Sequence, residues 1–203
     1  MTLQTWLAFC ATETVLCFIP GPAVLFVVSA ALARGSGAGI AAALGILIAN
    51  AFYFTLSGTG IAAAILASSE LFTALRWIGT AYLLWLGLRM LLSRAQPPSG
   101  TANSAASQFL LRGIIVQGSN PKALLFFVAL LPQFINPAAA VGWQIVALGV
   151  SSVVIEFFVL LLYIVLAVRA RRVAGTRFAG PLERVGGGLL LAAGARLALV
   201  RSN

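Results

Sequence analysis

Histidine and aspartate are absent from this chain, Lys122 is its only lysine, and Cys10 and Cys17 are its only cysteines. An intramembrane enzyme needs a nucleophile–base pair or two catalytic aspartates, and neither can be assembled from such a set. Zinc and iron sites lack their usual ligands for the same reason. On one helix Cys10 and Cys17 stand roughly 10.5 Å apart at 1.5 Å rise per residue, beyond the ~7 Å that a disulfide spans. They read as two small apolar residues, and neither a cofactor nor a bound metal is expected.

Charge is scarce as well. Only 8% of the 203 residues are charged and 61% are hydrophobic, whereas a soluble domain carries about 25% charged residues. The mean hydropathy is +1.05. Apolar runs of about twenty residues recur along the whole length, which marks a polytopic membrane protein. At roughly 30–35 residues per span and connection, about six transmembrane helices fit, in an all-α membrane domain. A net charge of +9 would suggest nucleic acid for a soluble protein. Here the arginines sit at the ends of apolar runs, so orientation and contact with membrane lipids account for them, and no nucleic acid is expected. The first apolar stretch lacks a basic n-region and outruns an h-region, so it is expected to remain as a span.

Two of the apolar runs are interrupted. Pro20-Gly21-Pro22 breaks the run from Trp6 to Leu32, and Asn120-Pro121-Lys122 breaks the run from Phe109 to Ile135. A proline inside a helix removes a backbone hydrogen bond and clashes with the preceding turn. An ammonium near the bilayer centre costs ~2.5–3.5 kcal/mol on insertion scales. A stretch bearing both burdens lies at a membrane surface or serves a function. Broken segments, one in each half, point to the binding site of a repeat-built transporter.

Taken in order, span 1 covers Gln4 to Ala33 and carries Glu13 two turns before the break. Glu13 is either an acid snorkelling near the membrane face or a carboxylate of the pathway. Arg34 to Gly39 reads as a basic, glycine-rich turn; no Gly-Lys-Ser/Thr follows it, which excludes a phosphate loop. Span 2, Ile40 to Ala67, places Ala41, Gly45 and Ala49 at four-residue spacing, a face for close helix packing. Asn50 beside it is an interhelical hydrogen-bonding amide or a substrate ligand. Span 3 covers Leu71 to Leu92, and Ala95 to Gln108 is the one strongly polar stretch. Span 5, Val141 to Val168, contains Glu156 among apolar neighbours, for which Lys122 is the natural partner. Span 6, Val185 to Val200, is short.

The chain 1–203 thus reads as a single membrane domain: a three-helix half over 1–94, a flexible linker over 95–108 and a second half over 109–203. Hydropathy and the two proline breaks favour inverted repeats, with broken helices 1 and 4. In that arrangement Arg34, Arg89, Arg94, Arg112, Arg169, Arg171, Arg172, Arg177 and Arg184 fall on one side, against Arg76, Arg196 and Arg201 on the other. Positive-inside then puts both termini outside the cytoplasm of a multi-pass inner-membrane protein.

These residues together resemble the LysE/RhtB family of amino-acid exporters, which includes lysine, homoserine and threonine efflux proteins. The likeness starts at Pro20-Gly21-Pro22 and continues through Gly35 to Gly39, Gly45, and Trp77-Ile78-Gly79-Thr80-Ala81-Tyr82-Leu83 with Gly87. Its most specific block is Phe109 to Gly113, then Asn120 to Ala123, Phe126-Phe127 and Pro132-Gln133-Phe134, followed by Glu156 with Tyr163. Two places depart from the family's habit: Ala23 follows the first break where a polar residue is common, and Gln117-Gly118-Ser119 precedes Asn120. The resemblance implies export of an amino acid or derivative, driven by protons or by the membrane potential; the small-residue faces serve packing within one chain or a homodimer. The pathway is then expected to use Glu13, Pro20, Gly21, Pro22, Asn50, Asn120, Pro121, Lys122, Gln133 and Glu156. Lys122 would complement the substrate carboxylate or pair with Glu156, and Glu13 or Glu156 would bind the amino group or carry a proton. Metal-cation efflux and a non-transporting assembly role are the alternatives.

Overall fold

A computed structural model describes residues 1–58 and 102–174, with the single positions 77, 80, 81, 84, 85, 88, 91, 92, 188, 191 and 195. Spans 3 and 6 of the sequence reading lie largely outside the described residues. Among the described residues every regular element is helical: α1 (Leu3–Phe18), α2 (Pro22–Arg34), α3 (Ser36–Gly58), α4 (Ala102–Gly118), α5 (Pro121–Leu125) and α6 (Val141–Ala174). A π turn (Phe126–Leu130) and a 3₁₀ turn (Leu131–Phe134) extend α5.

Both expected breaks are present, and proline chemistry explains each. Ile19, ahead of Pro20, takes extended backbone at ψ 112°, as a residue before proline prefers. Gly21 is extended too, and Pro22 restarts the chain as α2 with its ring at the first helical position. The two pieces bend by 53°. At the second break Asn120 is extended at ψ 111°, Pro121 opens α5, and the Asn120 side chain accepts from the Lys122 N–H at 3.1 Å.

Three boundaries differ from the sequence reading. The expected turn over Arg34–Gly39 shrinks to Gly35, the one residue at positive φ (87°) among those described, and α3 already starts at Ser36. Only a residue without Cβ adopts that conformation freely. Residues 102–108, read as part of a linker, belong to α4; Ala102, Ala105 and Ala106 are strong helix formers there. The fifth apolar segment runs on to Ala174 as a 34-residue helix. Its length of about 51 Å exceeds a ~30 Å hydrocarbon core, which lets Arg171 and Arg172 end it in water and favour its negative pole. By length and composition α3 and α6 can each cross a membrane, and α1 with α2 can form a third, broken span.

The helix directions are fixed by pairs of contacts. Trp6 meets Ser151 and Phe18 meets Tyr163, so α1 and α6 run the same way. Gly45 meets Leu110, Asn50 meets Gln117 and Tyr53 meets Gly118, so α3 and α4 also run together. Phe54 beside Gly149, Asn50 beside Glu156 and Gly39 beside Ile164 set α3 against α6 in the opposite sense.

The expected small-residue face is real. A Cβ on Gly45 would overlap the Leu110 carbonyl, and one on Gly113 would overlap the Ala42 carbonyl, so α3 and α4 touch backbone to backbone. Ala41, Ala42 and Ala49 are buried along this seam. Ile40, Leu44, Ile48 and Phe52 are exposed at four-residue spacing on α3, an apolar outer face suited to lipid. Among the described residues the interior has two apolar clusters. One joins α2, α3 and α6 around Phe26, Val27, Ile46, Leu160 and Ile164. The other gathers Phe9, Phe54, Phe127, Leu131 and Leu148, with Phe54 and Phe127 edge-to-face at 4.8 Å.

Candidate functional site

Between these clusters lies a belt of buried polar side chains: Glu13, Asn50, Gln117, Asn120, Ser152 and Glu156. With no water in a bilayer core, such groups must satisfy one another. They do so in a chain. Glu156 on α6 accepts from the Asn50 amide on α3. Gln117 on α4 donates to Asn50 Oδ1 at 2.7 Å, and Asn120 donates to Gln117 Oε1 at 2.9 Å. Asn120 in turn caps α5 through the Lys122 N–H. A second link joins α1 to α6, where the Ser152 hydroxyl donates to Glu13 Oε1 at 2.5 Å. Cys17, one turn beyond Glu13, directs its thiol at the same oxygen at 3.7 Å.

Lys122 closes the belt across the first break. Its ammonium donates to the carbonyls of Leu16 and of Ile19, the latter at 2.8 Å. The expected pairing of Lys122 with Glu156 is therefore not the one formed. A helix that stops inside the protein leaves its last carbonyls without partners, at the negative end of its dipole. The ammonium meets those carbonyls, and the carboxylate meets an amide instead.

A cavity of about 540 Å³ opens along the belt. Its polar wall holds Glu13, Asn50, Gln117, Asn120, Lys122, Ser152 and Glu156, and Leu16, Val24, Phe126, Phe127, Leu130 and Leu160 stand among its apolar lining. Of the residues singled out from the sequence, Glu13, Gly21, Asn50, Asn120, Lys122 and Glu156 line it. Pro20, Pro22 and Gln133 do not. The prolines act through the backbone; Pro22 and Pro121 each hold the first position of a helix. Gln133 is exposed on the 3₁₀ turn, carried past the cavity by the irregular turns after α5. Ser152 and Cys17 were missed, and Gln117 stood out only as a departure from a family pattern. Spacing held the signal for two pairs: Glu13 and Cys17, and Ser152 and Glu156, are four apart, so each pair shares a helix face. Among the described residues no three of His, Cys, Asp and Glu stand together as a metal-binding group.

An all-helical bundle with apolar outer faces, an interrupted span and a charged, amide-lined cavity has the build of a multi-pass membrane transporter. The chain belongs to the LysE type translocator family, which it matches over residues 14–201. It is 31% identical over 204 residues to the homoserine/homoserine lactone efflux protein of Salmonella typhimurium, covering 99% of each chain. A leucine efflux protein of Enterobacter sp. is 35% identical over 143 residues, 68% of each chain. An uncharacterized membrane protein of Vibrio cholerae is 31% identical over 205 residues, the full length of both. No solved structure matches the chain.

Proposed function

We propose that this protein exports amino acids or amino-acid derivatives from the cytoplasm across the inner membrane, coupled to protons or to the membrane potential. The observation that carries the reading is the polar belt: two carboxylates and one ammonium converge on a single cavity at the breaks of two helices. A zwitterion needs partners of both signs, and buried polar groups supply them only when they are themselves held in place. Lys122 already binds two carbonyls, so an incoming amino group can take over those acceptors while the freed ammonium meets the substrate carboxylate. Glu13 and Glu156 receive the amino group or carry the coupled proton. The efflux relatives support the substrate class.

The same reading sets the chain in the membrane as six spans, two inverted halves of three, with both termini outside the cytoplasm. It is supported by helix direction: α1 and α6 run one way, and α3 and α4 the other. Arg171 lies beside Gly35, so the basic end of α6 shares a side with Arg34.

The test is export from a bacterial host that overexpresses the protein and is loaded with dipeptides. The medium should gain one or a few amino acids over a Lys122→Ala control, and Glu156→Gln should lose the excess at normal membrane levels. Full activity of both variants would remove the assigned roles. No excess of any amino acid, with the protein in the membrane, would favour ion efflux or an assembly role.

A further inference from the structure

The two breaks share a second feature. The last residue of α1 is Phe18 and the last of α4 is Gly118. Each carbonyl accepts a tyrosine hydroxyl from a long helix. Tyr163 on α6 donates to Phe18 O at 2.9 Å, and Tyr53 on α3 donates to Gly118 O at 2.6 Å. Both carbonyls are ones that a helix end leaves open, and in a bilayer no water replaces a missing donor.

We propose that Tyr53 and Tyr163 are a matched pair of positioning residues, each holding one helix break at the geometry that the cavity requires. Tyr163 fixes the end of α1, whose neighbouring carbonyls at Leu16 and Ile19 hold the Lys122 ammonium. Tyr53 fixes the end of α4 two residues before Asn120, the residue that joins the polar chain to α5. Each tyrosine is a ring anchored on an uninterrupted helix with one hydroxyl on the broken one. Tyr53 also stacks at 5.0 Å on Phe127 of the cavity wall, so its ring is held independently of its hydroxyl. A single neutral hydrogen bond is strong enough to set a geometry and weak enough to be remade in each transport cycle.

The inference rests on the transport reading for one half of its test only. Tyr53→Phe and Tyr163→Phe keep the rings and remove the hydroxyls. In purified protein, backbone hydrogen exchange should quicken at Ile19 in Tyr163→Phe, and at Ser119 and Asn120 in Tyr53→Phe. These amides bond inside their own breaks, to Leu16, Ile115 and Gln117. Each variant should leave the other break unchanged. In export assays each should shift the apparent KM by about three- to tenfold, the worth of one hydrogen bond, with normal membrane levels. Unchanged exchange at both breaks, or exchange raised evenly along all helices, overturns the pairing. Local changes without any effect on export overturn the positioning role. If the wild-type protein moves no amino acid, the transport reading falls, and the exchange data still decide whether the tyrosines hold the breaks.

Discussion

Gln117 donates its side-chain amide to Asn50 Oδ1 at 2.7 Å and thereby ties α4 to α3 in the middle of the apolar interior. Asn50 spends its donor on Glu156 and its acceptor on Gln117, so one side chain connects three helices.

Asn50→Leu should therefore orphan two buried groups at once, at about 1–3 kcal/mol each, and abolish export. Thermal unfolding in detergent measures the first effect. Asn50→Leu with Glu156→Leu should recover much of the stability, because apolar pairs often replace buried polar ones without loss. Export should stay absent. A single variant as stable as wild type would mean that Asn50 is not the hub.

The seam between α3 and α4 gives a second expectation. Gly45→Ala drives a methyl into the Leu110 carbonyl, and backbone cannot give way as a side chain can, so a loss of about 1–3 kcal/mol is expected. Gly142→Ala, where the added methyl meets open space, should be neutral in the same melting experiment.

Cys17 lines the cavity and Cys10 does not. In a Cys10→Ser background a membrane-permeant maleimide should block export, and the exported amino acid should slow the labelling. Cys17→Ser should be insensitive. Labelling of Cys17 that leaves export intact would take this part of α1 off the path.

Orientation has its own check. Alkaline phosphatase joined after Gly58 should be active, and joined after Ala174 inactive, since those helix ends lie on opposite sides in the six-span reading. The reverse pattern would invert the chain and, with it, the assignment of Arg34, Arg171 and Arg172 to the cytoplasm.

Both breaks were legible in the sequence because proline has a local, one-residue effect on backbone. Lys122, Glu13 and Glu156 were legible because a charge in an apolar run stands out. Their partners were not. A sequence shows which charges exist, but the carbonyls of Leu16 and Ile19 become acceptors only once α1 has ended, so pairing Lys122 with Glu156 was the natural error. Ser152 looked like any hydroxyl able to bond its own helix. Gln133 was chosen by its place in a motif, and the π turn over Phe126–Leu130 that carries it past the cavity has no simple sequence signature. The α4 boundary failed for another reason: serine, asparagine and alanine serve linkers and helices alike.

The contact between Gly45 and Gly113 has a mechanical consequence. In the inverted-repeat reading α3 and α4 belong to opposite halves, yet there they meet with no side chain between them. Rocking one half on the other would have to unzip that weld, opening voids that neither lipid nor water can fill. At the two breaks the contacts are hydrogen bonds instead: Tyr163 and Lys122 hold the end of α1, and Tyr53 holds the end of α4. In that reading, alternation of access would fall to two small levers turning beside a fixed spine.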